Sequence, residues 1–232
     1  MDPRKHFQRL KNHPISYLCN FPSYIKRLPG QFYVNHRFQV TSFGGSGTSM
    51  IYGYLKGAGL NVPSTPDQRP WKHQSSPPSD SKVPRGFRAL YLYSDPRNAV
   101  LSVFRRHYQH YHHERMKNRS NLRENLDLKS YSINEFLDLD NDPFEMENQF
   151  DNWTQSKREY PILILNYDSL WERLSEVISF FGIPSEYADH FPEQRNRSSN
   201  WKNLSDRLKY KINCTYKSLI NKVKSAPNFE IV

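Results

Sequence analysis

The strongest apolar signal in the chain is Pro161-Ile-Leu-Ile-Leu-Asn166, an unbroken run of the kind found in strands covered on both faces of a parallel sheet. Two other stretches read as strands: Phe38 to Thr41, alternating around Val40, and Ala89 to Tyr93. Each leads into a helical period. Met50, Ile51, Tyr54 and Leu55 follow the first and stop at Gly57 and Gly59. Val100, Leu101, Val103 and Phe104 follow the second, with Ser94 or Asp95 placed to cap that helix and Pro96 in its first turn. Trp171 to Phe181 is amphipathic and ends at Gly182 and Pro184, and Leu204 to Val223 reads as a closing basic helix. Residues 61–86 are crowded with Pro, Ser and Asp and predict a long loop. Residues 108–148 are charged and rich in His and Asn, with one helix expected around Ile133 to Leu139. Strands alternating with helices predict an α/β fold with a mainly parallel central sheet flanked by helices. A basic arm at 1–36, one domain at 37–225 and a short tail at 226–232 complete the expected organisation.

Composition narrows the function classes. At 232 residues and 36% hydrophobic content the chain fits one domain with a modest core, to which 14 Phe and 15 Tyr add buried area. No stretch reaches the ~20 apolar residues of a membrane span. Two cysteines, Cys19 and Cys214, are too few for a disulfide scaffold and lack metal-ligand spacing, which fits a cytoplasmic setting. The alternative is the secretory-pathway lumen, were an N-terminal anchor to precede the chain. A net charge of +10 points to an anionic partner without choosing one.

The chemistry concentrates in Gly44-Gly45-Ser46-Gly47-Thr48-Ser49, where a strand hands the chain to a helix. Unpaired amides and the positive end of the helix dipole favour a phosphate there, glycines let the anion approach, and the Thr48 and Ser49 hydroxyls add donors. The bland alternative is a connecting turn. The nucleotide-hydrolase form of such a loop carries Lys after its last glycine; here that residue is Thr48, which disfavours ATP or GTP hydrolysis. His107, His110, His112 and His113 form a cluster without a Cys or carboxylate pattern to complete a zinc site, so a solvated or anion-facing helix is expected and no metal.

The stretch Thr41-Ser42-Phe43-Gly44-Gly45-Ser46-Gly47-Thr48-Ser49 resembles the 5′-phosphosulfate loop of the sulfotransferase family, whose donor is 3′-phosphoadenosine 5′-phosphosulfate (PAPS). Leu90 to Ser102 is similar to the family's strand and helix that hold the 3′-phosphate. Ile162 to Leu170 is similar to its strand ending in a tyrosine near the adenine, and Phe180 to Pro184 follows as the family's helix end does. Arg195-Asn-Arg197-Ser-Ser-Asn200-Trp201-Lys202-Asn203 resembles the loop that folds over the nucleotide. The resemblance spans about residues 38–203 and implies a three-layer P-loop-type fold. It implies nucleotide contacts from Gly44, Gly45, Ser46, Gly47, Thr48, Ser49, Ser94, Arg97, Ser102, Tyr167, Arg195, Arg197, Trp201 and Lys202. Two positions depart from the family's pattern. Gly45 stands where many members have Lys or Arg, and Ser94 where many have Arg, so Arg97, Arg195 or Arg197 becomes the candidate for the missing charge.

Trp71-Lys72-His73-Gln74 resembles the family segment that carries a Lys and a catalytic His. Imidazole accepts a proton at neutral pH, which makes His73 the candidate base and Lys72 the candidate stabiliser of the transferring group. The reading is a sulfotransferase acting on a hydroxyl or amine, with PAPS as donor and adenosine 3′,5′-bisphosphate as product. A nucleotide-binding protein that has lost turnover is the alternative, and a P-loop kinase a more distant one. The acceptor stays open among an acidic glycan, a peptide and a small hydroxyl compound; no recognised nucleic-acid motif is present.

Overall fold

The computed structural model describes residues 36–62, 72–120, 126–139, 141–194, 196 and 198–232. The N-terminal arm therefore lies almost wholly outside the described residues, as do Arg195 and Arg197.

Four strands form one open sheet in the order β1 (Phe38–Thr41), β2 (Arg88–Tyr93), β3 (Ile162–Asn166) and β4 (Phe229–Ile231). The first three are parallel, with Val40 opposite Leu90 and Leu90 opposite Leu163. β4 is antiparallel to β3, Glu230 facing Ile164. Residues 226–232, expected to be a tail, thus contain an edge strand. The molecule is α/β with a mostly parallel sheet, as the alternating pattern predicts.

Both faces of β2 and β3 are buried, which is why these strands read as continuous apolar runs. Ala89, Tyr91, Tyr93, Ile162 and Ile164 point into one cluster. There they meet Val100 and Val103 of α2 (Pro96–Arg105) and Phe150 and Trp153 of α5 (Met146–Thr154). Leu90, Leu92, Leu163 and Leu165 point the other way, against Ile51 and Leu55 of α1 (Thr48–Gly57) and Val177 and Ile178 of α6 (Leu174–Phe180). Fully burying such a side chain contributes about 1.5–3 kcal/mol.

Local rules set most boundaries. The Asp95 carboxylate accepts the Arg97 amide at 2.9 Å and Pro96 occupies the first helical position, so α2 begins where the cap predicts. Ser132 and Glu135 form a reciprocal capping box that starts α4 (Ile133–Leu137). The closing basic segment is two helices, α7 (Asp206–Thr215) and α8 (Lys217–Ser225), broken at Tyr216. That ring is buried, its hydroxyl 3.0 Å from Asp142 Oδ1. Between α2 and α4 lies α3 (Gln109–Ser120). Among the described residues no helix is long and apolar enough to cross a membrane.

Candidate functional site

The carboxyl ends of the three parallel strands open onto the same place. β1 delivers the glycine-rich turn, β2 delivers Ser94 and α2, and β3 delivers Tyr167. Gly47 caps α1 in the left-handed conformation at φ +78°, and the amides of Met50 and Ile51 close onto its carbonyl at 2.9 and 3.2 Å. Ahead of them, the N–H groups of Gly45, Ser46, Gly47, Thr48 and Ser49 have no acceptor among the described residues. A helix start leaves up to four such donors orphaned, and here the loop extends the row.

The glycines also set how close neighbours come. A Cβ on Gly45, at φ +73°, would stand 2.8 Å from Ser102 Cβ; one on Gly47 would stand 2.7 Å from Tyr167 Cε2. Gly44 is covered by the His112 ring, whose Cε1 would lie 2.6 Å from a Cβ there. The turn is therefore pressed by α2, by α3 and by the segment after β3 at once. Gly45, Ser102 and Tyr167 form one side of an open cleft of about 230 Å³. Asn98 and Arg105 of α2 continue its wall, and Asn196, Ser198 and Ser199 complete it. Among the described residues no carboxylate lines it.

Hydroxyls inside the turn are tied to one another. Ser46 and Ser94 share a hydrogen bond at 2.9 Å, and Ser42 and Thr48 share one at 2.7 Å; all four are buried. Ser46 and Ser94 border a separate, water-sized hollow of about 20 Å³ and not the open cleft. Ser94, expected as a phosphate contact, braces the loop through Ser46 and does not line the open cleft.

Lys72 and His73 reach the turn from the 72–86 segment, whose anchoring is built from β1 and α5. The Lys72 carbonyl accepts from Thr41 Oγ1 at 2.9 Å and from the Ser42 amide at 3.2 Å. The Gln74 carbonyl accepts from Trp153 Nε1 at 2.9 Å and Gln149 Nε2 at 2.8 Å. Lys72 Nζ then donates to Ser49 Oγ at 2.6 Å. Burial, and second the Arg106 guanidinium, hold this ammonium below the usual lysine value. His73 Nδ1 lies 2.9 Å from the Ser42 carbonyl oxygen. A carbonyl only accepts, so in the neutral ring the proton sits on Nδ1 and Nε2 is the basic nitrogen.

His112 was not singled out from its three neighbours by the sequence. It is buried, with its ring 4.6 Å from that of His73 and 5.4 Å from Phe43. The expected solvated histidine helix is thus only partly solvated. His113 is also buried, its Nδ1 on the Pro143 carbonyl at 2.9 Å, while His110 lies 3.3 Å from Asp127 and His107 is exposed. Among the described residues no group of three His, Cys, Asp or Glu side chains could hold a metal ion.

Arg97, Trp201 and Lys202, also expected nucleotide contacts, do not line the cleft either. Arg97 is committed to Asp95, at 2.9 Å from Oδ1 and 2.6 Å from Oδ2, and to Asn213 Oδ1 at 2.8 Å. Its guanidinium also lies 3.6 Å from the centre of the Trp201 ring. Arg97 and Trp201 accordingly form a clamp between α2 and the 198–203 segment, reinforced by the Trp201 amide on Asn98 Oδ1 at 2.9 Å. Lys202 is exposed beyond it. Asn98, Asn196, Ser198 and Ser199 are cleft residues that the sequence reading missed, because a polar side chain on a helix or loop carries no periodic signal.

Fold and cleft together define a class: an α/β protein whose strand-to-helix glycine turn presents unpaired amides beside a cationic, hydroxyl-rich cleft, with an imidazole and an ammonium bonded to the turn itself. No family model, no characterised protein and no solved structure matches the chain.

Proposed function

We propose that the chain is a sulfotransferase with a three-layer P-loop-type fold, taking PAPS as donor and a hydroxyl or amine as acceptor. The observation that carries this reading is the row of acceptor-free amides from Gly45 to Ser49, opening beside Ser102 and Tyr167 on one side and Lys72 and His73 on the other. The donor set fits a nucleotide with two anionic ends: amides at a helix start for one, hydroxyls and a guanidinium for the other, with no carboxylate among the described lining residues to repel either.

In this reading the Gly45–Ser49 amides hold the phosphosulfate and Tyr167 lies against the nucleotide beside the loop. His73 Nε2 takes the acceptor's proton as the new S–O bond forms and the bond from sulfur to the 5′-phosphate oxygen breaks. Lys72, an ammonium that releases its proton more readily than an ordinary lysine, meets the charge that develops on the leaving oxygen. It would do from the neighbouring loop what residue 45 cannot, since any side chain at 45 meets Ser102.

Adenosine 3′,5′-bisphosphate should raise the melting temperature, and ATP with Mg²⁺ should raise it less. With ³⁵S-labelled PAPS and a panel of phenols, glycans and tyrosyl peptides, label should pass to an acceptor, and His73→Ala should abolish transfer while leaving bisphosphate affinity within about threefold. Bisphosphate binding without transfer would identify a nucleotide-binding protein without turnover. Stronger stabilisation by ATP with Mg²⁺ would favour the kinase reading.

A further inference from the structure

We infer that Arg105 selects a nucleotide carrying a 3′-phosphate, in place of Ser94 and Arg97 on the strand and helix where the sequence pattern first puts that contact. The inference rests on the sulfotransferase reading for the nucleotide itself and goes beyond it in naming how this chain recognises the far phosphate.

The two nearer candidates are committed elsewhere. Ser94 has no charge to offer and its hydroxyl is bonded to Ser46; Arg97 is held by Asp95, Asn213 and Trp201. Among the described residues that line the cleft, Arg105 is the one cation. It lies three residues after Ser102 on α2, hence on the same helical face, so guanidinium and hydroxyl address one ligand group together.

Its aim is fixed from across the cleft. Arg105 Nε donates to Ser199 Oγ at 3.0 Å, which leaves the terminal nitrogens of the fork for an anion. That bond restrains a flexible exposed side chain before any ligand arrives. Burial, and second the neighbouring Arg105 charge, hold the Arg106 guanidinium below its usual value. A phosphate monoester suits this wall: it accepts a bidentate guanidinium pair and the hydroxyls of Ser102 and Ser198 at the same time.

The test is calorimetric titration of the full chain with adenosine 3′,5′-bisphosphate and with adenosine 5′-monophosphate, which differ only in the 3′-phosphate. In the wild type the bisphosphate should bind about ten- to a hundredfold more tightly, the range expected for hydrogen bonds to a charged group. Arg105→Ala and Arg105→Gln should each remove most of that preference while changing monophosphate affinity less than about threefold; because the side chain is exposed, both variants should melt near the wild type. Unchanged bisphosphate affinity in both variants, or equal losses for the two nucleotides, overturns the role of Arg105 and leaves the sulfotransferase reading standing. Failure of the wild type to bind either nucleotide removes that reading, and the inference with it.

Discussion

Replacing Gly45 with alanine places a methyl group where the turn after β1 meets α2. The backbone there has φ +73°, and the new Cβ would lie 2.8 Å from Ser102 Cβ and 2.9 Å from its Oγ. Holding an alanine in the left-handed region costs about 1–2 kcal/mol, and moving a β-carbon rooted in a packed helix adds about 1–3 kcal/mol of overpacking. A loss of about 2–5 kcal/mol lowers the melting temperature of a domain this size by roughly 5–15 °C. Gly53 supplies the control. It lies inside α1, and a Cβ there meets nothing within 4 Å. Alanine at 53 should therefore stabilise, by about 0.5–1 kcal/mol. Calorimetric melting of both variants decides the matter. If Gly45→Ala melts within about 2 °C of the wild type, or Gly53→Ala falls as far as Gly45→Ala, the close approach of the turn to Ser102 is refuted.

Other outcomes follow from the same packing. Trp153→Phe keeps the ring stacked on Tyr91 but removes the indole N–H from the Gln74 carbonyl, so stability should fall by about 1–2 kcal/mol and His73-dependent turnover should fall further than bisphosphate affinity. Unchanged turnover would show that α5 does not anchor the His73 segment. Truncation after Ala226 removes the Asn228 carbonyl from the Asn166 amide, the Pro227 carbonyl from the Tyr93 hydroxyl and both bonds between Ile162 and Val232. The ladder bonds between Ile164 and Glu230 are lost as well, so at about 1 kcal/mol for each bond urea unfolding should report a loss of at least about 4 kcal/mol, and a wild-type midpoint would contradict β4 as part of the sheet. Burial pushes the Asp142 carboxyl up to about 6, against the lowering hydrogen bonds from Met146, Tyr216 and Phe144. Its stabilising share is therefore complete below its ordinary value of 3.8 and is lost as pH rises through about 6. The stability difference between wild type and Asp142→Asn should widen by up to about 3 kcal/mol between pH 7 and pH 4; a constant difference would sink the assignment.

Much of the fold is legible in the sequence because the sheet is buried on both faces. β1 and α1 fall where the pattern puts them, β2 and β3 within a residue, and Asp95 marks the start of α2 by its own chemistry. α5 is harder to read. Met146, Gln149, Phe150 and Trp153 share a helical stripe, yet the stripe is short and set in a charged region. β4 has three residues and no local signal, since its pairing with β3 is a tertiary event. The glycine turn lies against Lys72, His73, Ser102 and Tyr167. The resemblance led to Arg97, Arg195 or Arg197 by position along the chain; Arg97, two residues from Asp95, pairs with it, and among the described residues the cation lining the cleft is Arg105.

The account rests most heavily on one nucleotide spanning the turn after β1 and the wall of α2. The crystal structure of the chain with adenosine 3′,5′-bisphosphate tests this directly. The 5′-phosphate should lie on the amides of Gly45 to Ser49 and the 3′-phosphate within hydrogen-bond distance of Ser102 and Arg105. A nucleotide bound elsewhere, or bound with its phosphates away from both groups, would contradict the account.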